Sequence, residues 1–205
     1  MSSEWIELAP SIKYLSASAY PLSADVVLVE GREHIWLFDV GSSDDVLQAL
    51  QTLSKKPRII LSHFHPDHTA NLDKLSFEAL YVGSYTHQKI KLGTIVKSPI
   101  ELDDGIHLRV FPLPSSHAKG SLALEVNETY AFLGDGVYSA VKQGRAVYNA
   151  TLLKDELDVL RSIKAPWFLL SHANPFLQKK DDVITLLEAV YNQRCANSPD
   201  IYPKD

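Results

Sequence analysis

The stretch Ser62-His63-Phe64-His65-Pro66-Asp67-His68-Thr69-Ala70-Asn71 places three histidines and an aspartate within six consecutive positions. Pro66 disfavours the helical region for the residue before it, so Ser62 to His65 is expected to stay extended. The two-residue period of an extended chain then puts His63 and His65 on one side, where a single metal ion can take both. The chain must turn at Pro66-Asp67 into a short helix beginning near His68. That turn swings Asp67 and His68 away from the first pair, where they can serve a second ion. By composition alone, His-x-His-x-Asp-His is expected in fewer than about one such chain in a hundred, which weighs against a polar loop that happens to be rich in histidine.

Outward from this stretch, short apolar runs alternate with helix-period segments from end to end, which predicts α/β layering with a mixed sheet. Strands are predicted over Ile12 to Leu15, Val26 to Glu30, Ile35 to Phe38, Arg58 to Leu61, Ala79 to Val82, Ile106 to Phe111, Ser121 to Val126, Tyr130 to Leu133 and Trp167 to Leu170. Helices are predicted over Asp44 to Leu53, His68 to Leu75, Tyr85 to Ile90, Leu152 to Ile163 and Asp181 to Tyr191. Ser42 and Ser43 offer N-caps to the first helix, and Val46, Leu47, Leu50 and Leu53 share one of its faces. The runs on either side of Glu30-Gly31-Arg32-Glu33 predict an antiparallel hairpin. The polar, proline-containing tail from Ser198 to Asp205 predicts fraying.

The residues just past the strand ends carry the chemistry. Ile35 to Phe38 ends on Asp39, Arg58 to Leu61 leads to His63, Ile106 to Phe111 leads to His117, Tyr130 to Leu133 leads to Asp135, and Trp167 to Leu170 leads to His172. Ligands collect at such strand ends in layered folds, so these separate segments can converge on one site. For Asp39 two readings stand open: stabilisation of the helix that follows, or support of a histidine. His107 lies within a strand segment and His34 at the start of one, and both read as surface or cross-strand residues; His87 lies in a helix and reads as facing solvent.

One domain over residues 1–205 fits the length. The net charge of −5 gives no basic excess for a nucleic acid backbone. No apolar run approaches the roughly 18 residues of a membrane helix. A single cysteine, Cys195, and an amino-terminal stretch without signal-peptide character lead to the expectation of a cytoplasmic protein.

The set His63-x-His65-x-Asp67-His68, His117 in SSHAKGS, Asp135 in FLGDG and His172 in LLSHANP, preceded by Asp39 in WLFDVG, resembles the metallo-β-lactamase fold hydrolase superfamily. The resemblance runs from about Val26 to about Pro175. It implies a four-layered αβ/βα sandwich of two mixed β-sheets with helices on the outer faces. It also implies one ion on His63, His65 and His117 and another on Asp67, His68 and His172, with Asp135 bridging. Two departures concern loop shape. Thr69-Ala70-Asn71 stands where the family often has a DHxGG glycine run, and Lys119 stands where its HTPGS has proline.

The resemblance further implies two divalent ions, zinc before iron or manganese, that activate a shared water, so that no serine or cysteine nucleophile is needed. Asp67 is the candidate to orient the nucleophile or pass its proton to the leaving group. The expected substrate is a small molecule with a thioester, ester or lactone bond. The alternatives are phosphodiester cleavage as in RNA-processing relatives, sulfur oxidation at a single iron, and a non-catalytic metal-binding scaffold. Lys119, Tyr138, Arg145 and Tyr148 are the candidate substrate contacts, the last three from the loop Gly136 to Ala150 that follows Asp135 and is expected to run beside the site.

Overall fold

Runs that are apolar at every position belong to strands buried on both faces. In the computed structural model, which describes residues 4–204, alternate residues of these runs enter different cores. Val27, Val29, Trp36, Phe38 and Ile60 face a central core. Their chain neighbours Val26, Leu28, Leu37 and Ile59 face an outer one. On the other side of the molecule Phe132 and Leu169 enter the same central core, while Ala131, Leu133, Phe168 and Leu170 turn to a second outer core.

Two sheets make this arrangement. The first orders seven strands as Ile6–Ala9, Ile12–Leu15, Val26–Glu30, Ile35–Phe38, Arg58–Ile60, Ala79–Val82 and Thr94–Ile95. It is antiparallel as far as Ile35–Phe38 and parallel beyond. The second orders six as Ile100–Asp103, His107–Leu113, Ser121–Val126, Tyr130–Gly134, Trp167–Leu170 and Leu177–Lys179, with one parallel pair, Tyr130–Gly134 beside Trp167–Leu170.

Helices close the outer faces. Helix α1 (Asp44–Gln51) lays Val46 and Leu50 on the first sheet. Its N-cap is Ser43, whose Oγ accepts from the Val46 N–H at 3.3 Å, and Asp44 and Asp45 complement the positive end of its dipole. After the short α2 (Pro66–Thr69) and α3 (Ser84–Ile90), helices α4 (Ala150–Ser162) and α5 (Lys180–Tyr191) cover the second sheet through Leu153, Leu157, Leu160, Val183 and Leu187. The result is helix, sheet, sheet, helix, as the resemblance implied.

Three local expectations are corrected. The helix expected from His68 to Leu75 begins at Pro66 and ends at Thr69, and a separate 3-10 turn covers Leu72–Lys74. Proline is well placed in the first helical turn, where its missing N–H has no intrahelical partner to lose, so Asp67 and His68 are both helical. The tail does not fray throughout: Asp200–Ile201 pairs with Arg145–Asn149, and Ile201 is buried in the outer core. The segment after Asp135 is not all loop, since Ala140–Lys142 and Arg145–Asn149 form a ribbon. Among the described residues no helix is long and apolar enough to cross a membrane.

Candidate metal centre

The site lies where strands of both sheets end. Arg58–Ile60 delivers Ser62, His63 and His65, and α2 delivers Asp67 and His68. His117 follows Leu113, Asp135 follows Gly134, and His172 follows Leu170. Gly134 is required by close approach: at its φ of +55° a Cβ would lie 2.6 Å from Ser62 Cβ. The loop carrying His117 is held against α3 in a similar way, since a Cβ on Gly83 would strike the Gly120 carbonyl.

All seven expected ligands converge, in two groups. In the first, His63 Nε2 and His117 Nε2 lie 2.9 and 3.0 Å from His65 Nδ1. In the second, His172 Nε2 lies 3.0 Å from Asp67 Oδ2, and His68 Nε2 lies 3.5 Å from Asp67 Oδ2 and 3.4 Å from Asp135 Oδ1. Asp135 joins the groups, because its other oxygen, Oδ2, stands 3.2 Å from His117 Nε2. A tetrahedral ion with bonds of about 2.0–2.1 Å needs ligand atoms roughly 3.4 Å apart, and these spacings, from 2.9 to 3.5 Å, reach that value with small outward shifts of the closer pairs.

Hydrogen bonds behind the rings orient their lone pairs. The His68 Nδ1–H donates to Asp39 Oδ2 at 2.7 Å, which turns Nε2 into the site. Ser62 Oγ donates to the same carboxylate oxygen at 2.6 Å and so accepts from the His63 Nδ1–H at 3.0 Å, leaving the His63 Nε2 lone pair free. The His117 Nδ1–H faces the Ser139 carbonyl at 3.3 Å, with the same effect. Of the two readings of Asp39, the contacts are those of histidine support. Its carboxylate also accepts from the Ser62 N–H at 2.7 Å, and Ser43 caps α1 instead.

The residues fit a divalent ion on two observations. Buried His68 Nε2 and Asp135 Oδ1 have no hydrogen-bond partner among the described residues, although unpaired buried polar atoms are costly. The charges also call for a cation. Burial works against a charged His68, yet the carboxylates of Asp39 and Asp135 push its pKa up to about 10. Its neighbour His63 is driven down to about 2 by burial and by His68. Burial likewise lowers His65, whereas the hydrogen bond to Asp67 raises His172.

Of the other expected residues, Tyr138 has its ring 6.4 Å from that of His117, but its hydroxyl is engaged with the Ser171 carbonyl at 2.6 Å. Tyr148 donates to the Val137 carbonyl, and Arg145 lies over the Tyr202 ring; among the described residues neither side chain is hydrogen-bonded to a histidine. Lys119 is exposed beside the His117 loop. Sequence reasoning missed Ser62 and Asn71. The Asn71 amide donates to the Val40 and Ser43 carbonyls at 3.2 and 3.1 Å and braces the turn after Asp39, whose φ is +63°. Its presence in place of a family glycine was the available signal.

Residues 19–92 match the family model of the metallo-β-lactamase superfamily. A search of curated proteins found no match. Among solved structures, an archaeal metallo-β-lactamase superfamily protein from Sulfolobus tokodaii is similar with a TM-score of 0.62 at 17% identity, covering 93% of this chain and 90% of that one. A metallo-β-lactamase from Pontibacter korlensis gives 0.65 at 15% identity, covering 91% and 99%. A variant of the flavo di-iron protein of Thermotoga maritima gives 0.67 at 15% identity, covering 95% of this chain and 63% of that one. The family-model match and these likenesses agree with the resemblance carried by the histidine motif: the chain has the metallo-β-lactamase fold.

Proposed function

We propose that this chain is a binuclear metal-dependent hydrolase that opens a thioester, ester or lactone bond of a small molecule. The observation that carries the reading is the pair of convergent donor groups with Asp135 reaching into both. His63, His65 and His117 would hold one ion, and Asp67, His68 and His172 the other, with Asp135 shared. When bound, zinc-class ions lower the pKa of water toward neutrality and polarise a carbonyl oxygen.

The protein's own contribution is orientation and proton handling. Asp39 and Ser62 fix the tautomers of His68 and His63 from behind. Asp67 has the more exposed side chain of the two carboxylates in the second group, at 14% against 8% for Asp135. Burial works to raise its pKa, but the hydrogen bond from His172 and the nearby His68 outweigh this and hold it below the usual carboxylate range. It is therefore an ionised acceptor open to an incoming substrate, suited to orient a nucleophile and relay its proton.

The negative net charge favours acyl substrates over nucleic acid phosphodiesters. Exposed, unpaired Cys195 accords with a cytoplasmic setting. Likeness to the flavo di-iron protein makes iron the alternative metal to separate from zinc.

Elemental analysis of protein purified without added metal is expected to give about two zinc ions per chain. A panel of esters, thioesters, lactones and phosphodiesters is expected to show turnover on an acyl member. Asp67→Ala is expected to lose most activity and much of the second ion; unchanged metal content and turnover in that variant would sink the two-ion reading. Chelation provides an independent check. At an ion concentration a thousandfold above Kd, binding stabilises by about 4 kcal/mol. Removal should therefore lower Tm by about 8–16 °C for a domain of this size, and an unchanged melting curve would rule out a tightly held ion.

A further inference from the structure

Asp25 stands immediately before the strand Val26–Glu30 and is 6% exposed. Its carboxylate serves a segment 147 residues away, accepting at Oδ2 from the His172 N–H at 2.9 Å and from the Ser171 hydroxyl at 3.2 Å. The Asp25 N–H in turn donates to Ser171 Oγ at 3.1 Å, and Asp25 Oδ1 accepts from the Ala17 N–H at 3.0 Å. The preceding residue takes part as well, since the Ala24 N–H donates to the Asp67 carbonyl at 3.0 Å.

His172 needs such a hold. Its φ is +63°, in the left-handed region that non-glycine residues rarely occupy and that persists where surrounding contacts over-determine it. The Ser171–His172 peptide is gripped at both ends: Tyr138 donates to its carbonyl oxygen at 2.6 Å, and Asp25 accepts from its N–H. With the peptide plane fixed, the direction in which the imidazole leaves the backbone is fixed too. Asp39, also at φ +63°, supports His68 from the first half of the chain. Asp25 and Asp39 line the same small cavity between the sheets.

We propose that Asp25 is the positioning residue for His172, and through it for the second metal position alone. The inference rests on the two-ion reading above. None of the observed hydrogen bonds of Asp25 reaches His63, His65 or His117.

The test titrates zinc into metal-free wild-type protein, Asp25→Ala and Asp25→Asn, with a competing chelator to obtain both binding constants. In both variants the first ion should bind as in wild type. The second should bind about tenfold to a hundredfold more weakly, as loss of the support behind a ligand does elsewhere. Asp25→Asn should show the smaller loss, because its amide keeps one acceptor oxygen and the side-chain shape. If Asp25→Ala does not fold, Asp25→Asn and Ser171→Ala carry the comparison.

Unchanged binding of the second ion, or equal weakening of both, would overturn the inference, the latter because a merely structural role predicts it. Uptake of fewer than two ions by wild-type protein would instead remove the two-ion reading, and the inference with it.

Discussion

Asp135→Ala is expected to lower turnover about a thousandfold or more and to leave the protein with one weakly held ion or none. Asp135 reaches both donor groups with its carboxylate, through Oδ1 toward His68 and Oδ2 toward His117. On the two-ion reading its loss removes a ligand from each position, whereas Asp67→Ala removes one from the second group only. Metal ions contribute several kcal/mol of transition-state stabilisation, and each 1.36 kcal/mol is a factor of ten. About 4 kcal/mol lost therefore corresponds to the stated thousandfold. The check is kcat on the best substrate of the panel together with metal content, and wild-type values for either would contradict the shared-carboxylate assignment.

Glu156→Met is expected to stabilise the protein, and by more as pH rises. Glu156 sits on the apolar stripe of α4 with Leu153, Leu157 and Leu160; it is fully buried, and neither carboxyl oxygen has a partner among the described residues. Burial raises its pKa well above the ordinary value of 4.5. Between that value and the higher folded one, the folded state keeps a proton that the unfolded state has lost.

The contribution of Glu156 to stability is therefore fully present below about pH 4.5 and is lost as pH rises through this window, by up to about 1.4 kcal/mol per unit. Methionine keeps the length and the helix propensity without the carboxyl. Burying an unpaired polar group costs about 1–3 kcal/mol. A gain of about 2 kcal/mol near neutrality should raise Tm by about 4–8 °C. Melts at pH 4.5 and pH 8 decide it: the gap between variant and wild type must widen with pH, and parallel curves would show that the carboxyl does not titrate with folding.

Much of the candidate metal centre was legible in SHFHPDHTAN because its geometry is local. An extended Ser62 to His65 places two imidazoles on one side, and their nitrogens do meet at 2.9 Å. The distant ligands were legible as residue types at strand ends. The core strands were legible as short, mainly apolar runs, and Ala79–Val82, Ser121–Val126 and Trp167–Leu170 fall where the pattern put them. Short edge strands such as Leu177–Lys179 and Ile100–Asp103 carry no such pattern. They bury little and take their conformation from pairing with a neighbour.

The sequence by itself determined the inventory of candidate ligands, the layered class and the local split of the motif into two pairs around Pro66. Only the tertiary structure decided which atoms share a site: Asp135 between the groups, Asp39 and Ser62 behind the histidines, and Asp25 beneath His172. It also decided that Glu156 is buried and that Ile201 is docked. The physical reason is range. Backbone sterics and residue periodicity act over a few positions and are written in the chain, whereas hydrogen bonds and burial between segments far apart depend on how the two sheets close on each other.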